Sequence, residues 1–133
     1  MKVKIFSLAI LLVAFVTGLQ AQTTSKPVWK ELKAFHGLMS ASFHPAEDGN
    51  FEPLRQKADS LLIIARNWQA SAIPADFKPE DTKAALSKLV AQCTVVKKAV
   101  DEKADNKVLF KEITEAHNIF HTIVGECRKA EEN

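Results

Sequence analysis

Apolar residues recur at alternating spacings of three and four along four stretches of this chain, and nowhere at a spacing of two over a useful length. A helix turning every 3.6 residues brings such positions onto one face, so each stretch predicts an amphipathic helix. The first runs from about Pro27 to Phe43, with Trp29, Leu32, His36, Met39 and Phe43 on its stripe. The second starts near Asn50 as N-cap, accommodates Pro53 in its first turn, and continues through Leu54, Leu61, Ile64, Ala65 and Trp68. The third opens on Pro79, Glu80 and Asp81, where a proline and two acids suit the positive end of a helix dipole. Its stripe is Leu86, Leu89, Cys93, Val96 and Val100. The fourth follows residues 101–106 and carries Leu109 or Phe110, Ile113, His117, Phe120, Val124 and Cys127.

The intervening stretches have turn chemistry. Pro45 disfavours helix at His44, and Gly49 with Asn50 makes a turn, so the first helix is expected to end at Phe43. Residues 72–78, with Pro74 at their centre, form the second connection. Four amphipathic helices joined by short links predict an all-α fold, an antiparallel up-down-up-down four-helix bundle. Trp29 and Trp68 fall near one end of its core.

The N-terminus changes the picture of where this bundle works. Lys2 and Lys4 precede an apolar run from Ile5 to Val16 interrupted only by Ser7, and small residues follow up to Ala21. This is the pattern of a secretory signal peptide over residues 1–21, too short for a comfortable transmembrane span of roughly 20 apolar residues. The remaining residues, 22–133, suffice for a single bundle domain with one core. The expected product is soluble, periplasmic or secreted, with no stable membrane anchor. Without Lys2 and Lys4 the basic residues, 18 in the whole chain, fall level with its 16 acids. A neutral chain without a Lys/Arg cluster lacks the electrostatic footprint of nucleic-acid binding, so no nucleic-acid partner is expected.

Candidate chemistry concentrates in two residue types. Of the four histidines, His117 and His121 are one turn apart on the fourth helix, and His36 lies on the stripe of the first. In an antiparallel bundle sequence number converts to height at about 1.5 Å per residue. His36 and His121 then each lie roughly 14 Å from the same end, and His117 at the height of Ser40, with Met39 close by. The three imidazoles are expected to converge in one layer between helices 1 and 4. His44 falls roughly 12 Å along the axis from His36, in the turn, and is not counted with them. The same reckoning sets Cys93 opposite His117 and separates it from Cys127 by roughly 15 Å, beyond the span of about 7 Å that a disulfide allows. Cys93 becomes a fourth candidate for the histidine layer, and Cys127 a free thiol or a route to a homodimer; otherwise the chain is expected to be a monomer.

The segment Asn118-Ile119-Phe120-His121, together with four helices and a ligand-type residue in the first, resembles the cytochrome b562 and cytochrome c′ group. In cytochrome b562 a last-helix Asn-x-Tyr-His supplies a histidine to haem iron, and a first-helix methionine is the second axial ligand. The resemblance implies His121 in the first role and His36 in the second, with Met39 one turn later. Cytochrome c′ would carry cysteines where His117 and Phe120 stand, so the implied group is non-covalent haem b. Its implied role is electron transfer or haem handling, with a redox partner protein.

A second reading uses the same cluster without a porphyrin. His36, His117 and His121 make a three-nitrogen set suited to copper or zinc; Met39 or Cys93 would bias it toward copper through a soft sulfur, and water as fourth ligand would suit zinc. No Ser-His-Asp order, stripe of paired carboxylates or glycine-rich phosphate loop is visible, so no enzymatic activity is expected. A third reading is a cofactor-free periplasmic adaptor or chaperone bundle whose histidines are structural. Single histidines on a helical stripe usually pack; three converging ones each need a partner once buried.

Overall fold

A computed structural model describes residues 28–130 of the chain, and the signal peptide expected over residues 1–21 lies outside them. Four helices follow one another: α1 (Lys30–Glu47), α2 (Glu52–Ala70), α3 (Pro79–Asp101) and α4 (Asn106–Gly125). Each packs against its neighbour in sequence, and α1 meets α4 in a thinner contact that closes the ring. The all-α four-helix bundle is therefore observed. Among the described residues no helix is long and apolar enough to cross a membrane.

Local chemistry explains most of the boundaries. The Asp105 side chain accepts a hydrogen bond from the Val108 N–H at 2.9 Å and so caps α4. Pro79 opens α3 where its missing N–H would have no helical partner in any case. Asn50 Oδ1 accepts from the Glu52 N–H at 3.2 Å, although the residue directly before α2 is Phe51. At the end of α1, Gly49 takes a left-handed conformation (φ 83°), and the Asn50 N–H reaches back to the Pro45 carbonyl at 2.8 Å. The end of α3 repeats this device with Lys103 (φ 55°) in place of glycine, and the Ala104 N–H bonds the Ala99 carbonyl at 2.9 Å.

One boundary departs from expectation. Helix α1 runs past Phe43 through His44 and Pro45 to Glu47. In the last turn Pro45 forfeits only one backbone bond, and burying Ala46 and Phe43 against the core offsets that loss. The extra turn carries His44 along the helix instead of leaving it in a loop.

The core also refines the stripes. On α3, Leu86, Leu89, Cys93 and Val96 are buried as the spacing predicts, and Val100, the last of that stripe, is half-buried. On α1 Phe35 is buried, with His36 next to it left exposed; on α4 Ala116 and Ile123 are buried rather than His117 and Val124. Most of each stripe is kept, with Trp29, Met39 and Phe43 buried on the first and Leu109, Ile113 and Phe120 on the fourth; Phe35, Ala116 and Ile123 widen it, because an apolar neighbour fits the interior at less cost than an imidazole that would need a partner. At one end Trp68 is fully buried against Trp29 (ring centroids 5.4 Å, edge to face) and Phe35 (5.4 Å), and Phe77 covers Trp29 at 5.0 Å. There the chain after α4 is tied to the α2–α3 link. The Lys78 N–H donates to the Cys127 carbonyl at 2.8 Å, and the Lys129 N–H donates to the Asp76 carbonyl at 2.9 Å. Cys93 and Cys127 are both buried, unbonded thiols.

Candidate functional site

Along the seam between α1 and α4, phenylalanine and histidine rings meet. Phe120 of α4 is buried beside Phe35 (5.8 Å) and Trp68 (6.1 Å), and its outer face carries the His36 ring, parallel to within 4° at 5.3 Å. Further along, Phe43 of α1 reaches the seam and the His117 ring lies flat on it at 3.9 Å. Phe43 also stacks on Phe110 at 6.3 Å, so one row of rings runs from α1 across to α4. An apolar ring under each imidazole fixes its plane while leaving its nitrogens at the edge.

Those nitrogens meet each other. His117 Nε2 and His121 Nε2 are 3.2 Å apart, the result of placing two histidines one turn apart on α4. In the neutral pair one Nε2–H donates to the other's lone pair. His44, on the added turn of α1, sets its ring 6.5 Å from that of His117. Its Nδ1 pairs with Glu47 Oε2 at 2.8 Å. All four histidines of the chain thus lie along one seam, His117 half-buried and the other three exposed.

Burial pushes the His117 pKa below the usual imidazole value, and His121 and His44 push it the same way; Glu47 opposes them, and His36 adds a smaller downward effect. Two protonated rings with nitrogens in contact would repel, and this acts with burial to favour the neutral form of His117, the form with a free lone pair.

The residues expected to share one buried layer are distributed as follows. His117 and His121 are brought together. His36 is on the same seam, seated on Phe120. Met39 and Cys93 are inside the hydrophobic core, 1% and 0% exposed, whereas the imidazoles are at the surface. Burial raises the Cys93 thiol to about 12, which keeps it protonated at neutral pH. As they stand, no three His, Cys, Asp or Glu side chains among the described residues are grouped to hold a metal ion. His44 was missed by the sequence reading because α1 was ended one turn early; its position eight residues after His36, about two helical turns, was the available signal.

Two cavities flank this region without opening onto the His117–His121 pair. One of about 270 Å³ borders His36 on the side of Trp29, Phe77 and Arg128. A larger one of about 770 Å³ opens between α3 and α4, where Ala84, Lys88, Val95, Ile119 and Cys127 contribute and no histidine does.

Comparison with family models, with curated proteins and with solved structures gives no match. The functional reading therefore rests on the chemistry of the seam.

Proposed function

We propose that this chain is an exported metal-binding bundle that takes up a divalent transition-metal ion, copper or zinc, through Nε2 of His117 and His121. The observation that carries the reading is the 3.2 Å separation of those two nitrogens. With metal–nitrogen bonds of about 2.0–2.1 Å, two ligands on one ion stand about 3 Å apart, so the pair needs little rearrangement to chelate. The metal takes the place of the shared proton, and the ring that carried it shifts its proton to Nδ1. The lowered pKa of His117 adds to this, because protons compete with metal for the same lone pair.

Haem b is the weaker fit. Phe120, buried and in contact with both rings, is stacked on His36 at 5.3 Å and stands 5.5 Å from His121. A porphyrin held by His36 and His121 would have to displace that ring from the core. The sulfur candidates Met39 and Cys93 are enclosed, so the accessible donors are nitrogen, which suits zinc and copper(II) better than copper(I).

The test is a calorimetric titration of purified protein with zinc(II) and copper(II), beside a haemin titration followed by absorption. One ion per chain, lost in His121→Ala, is expected. A Soret band that depends on His36 and His121, without a stoichiometric metal site, would replace this reading with haem; binding of neither ligand would leave the adaptor reading.

A further inference from the structure

Two imidazoles leave a chelated ion half-coordinated, and the seam holds a third donor that is already prepared. His44 pairs through Nδ1 with Glu47 Oε2 at 2.8 Å. A carboxylate can only accept, so Nδ1 carries the proton and, in the neutral tautomer, the lone pair is on Nε2. Ligating histidines commonly have this arrangement, with the distal N–H given to a carboxylate that fixes the tautomer and orients the ring. The other Asp and Glu side chains bonded at short range in this bundle pair with lysine, arginine or amide donors. Among these interactions, only Glu47 addresses an imidazole.

We propose that His44 is the third ligand of the His117–His121 metal site and that Glu47 is its positioning residue. The inference rests on the metal-binding reading above and names the ligand set that completes it. The His44 and His117 ring centroids are 6.5 Å apart, and those of His117 and His121 are 4.5 Å apart. Imidazoles sharing one ion have centroids about 5 Å apart, given bonds of about 2 Å. Measured against His117, the His44 centroid stands little more than an ångström beyond that spacing, and an exposed side chain on the last turn of α1 can turn its Nε2 toward the pair to close the set. Phe43 aids this closure from below, since it contacts both the His117 ring (3.9 Å) and the His44 ring (5.7 Å) and fixes the floor on which they meet.

His36, the third nitrogen suggested by sequence height, is held differently. Its ring lies flat on Phe120, and no carboxylate is bonded to it among the described residues. The completed site is three imidazole nitrogens with one open position for water or for a donor from a partner, facing solvent. It would select a nitrogen-preferring divalent ion, and it would link α1 to α4 across the thinnest contact of the bundle.

Copper(II) bound to the full chain and read by electron paramagnetic resonance counts the nitrogens, and zinc(II) titration gives the affinity. The wild type is expected to show three imidazole nitrogens. His44→Ala is expected to show two and at least a tenfold weaker zinc affinity, with an unchanged thermal midpoint in the absence of metal. Glu47→Gln, which keeps the fold and the side-chain size, is expected to weaken zinc by about 10- to 100-fold while three nitrogens are retained at saturation. A wild-type count of two, or an unchanged affinity in His44→Ala when His121→Ala has lost the ion, overturns the third ligand and leaves the two-histidine site standing. Loss of a nitrogen in His36→Ala instead of His44→Ala overturns it in favour of the other imidazole. Absence of any stoichiometric ion in the wild type overturns both readings together.

Discussion

The face of α3 turned to the interior and the seam between α1 and α4 are built from the same helical period, yet they carry opposite chemistry. Along α3 the stripe Leu86, Leu89, Cys93 and Val96 is dry, and even its one titratable group is driven to its neutral form by burial. Along the seam, phenylalanines form the floor, imidazoles lie on top of them, and the nitrogens stay at the surface. The difference teaches that a stripe of hydrophobic period fixes a core only where every residue on it is apolar. Where a histidine interrupts it, an adjacent Phe or Ala takes the interior while the rest of the stripe stays buried. The imidazoles are left as a row of donors on the rim of the core.

Chemical modification should expose the contrast most strongly. With its thiol near 12 rather than the ordinary 9.0, Cys93 has about a thousandfold less thiolate at pH 8, before any steric protection is counted. Native protein treated with iodoacetamide should stay unlabelled at Cys93, while diethyl pyrocarbonate modifies the exposed imidazoles of the seam. Rapid alkylation of Cys93 under native conditions would break the comparison.

Stability should separate the regions next. Trp68→Ala removes a fully buried ring and should lower the unfolding free energy by about 3–5 kcal/mol, whereas His36→Ala, which loses one exposed stacking partner, should cost less than about 1 kcal/mol in urea denaturation. Equal losses would mean that the seam is as much a part of the core as the tryptophan end.

The connections allow a finer cut. The turn after α1, beside the seam, has glycine at its left-handed position, and the turn after α3 has Lys103 there with φ 55°. Relieving that conformation in Lys103→Gly should raise stability by about 1 kcal/mol in the same assay, offset in part by the greater freedom of glycine in the unfolded chain. A loss would show that the lysine side chain contributes more to the turn than the backbone costs.

The smallest effect concerns pH. The folded pKa of His117 lies below its ordinary value of 6.5, so the unfolded chain binds a proton where the folded one does not. This contribution should leave stability flat above that pH, lower it as pH falls through 6.5, and level off once the folded group also protonates. Comparing metal-free wild type with His117→Asn by chemical denaturation at pH 7.5 and 5.5 checks the sign; a larger loss on acidification in the variant would reverse it.

Much of this organisation was legible in the residues. The number of helices, their order, the α3 stripe and the proline-led start of α3 follow from period and turn chemistry. That Cys93 and Cys127 do not pair was expected from counting rise per residue, and both are free thiols. The His117–His121 contact also follows from spacing alone, because two positions one turn apart on a helix meet whatever surrounds them.

Other features needed the assembled bundle. The pattern put His36 on the stripe, yet Phe35 faces inward and His36 is exposed; packing against Trp68 and Phe120 decided it. Proline chemistry placed the end of α1 at Phe43, but the helix runs on to Glu47 with Ala46 buried and brings His44 beside His117. Spacing along one helix is dictated by covalent geometry and is therefore written in the sequence. The facing of two helices is a competition among side chains for a shared interior, and only their packing together resolves it.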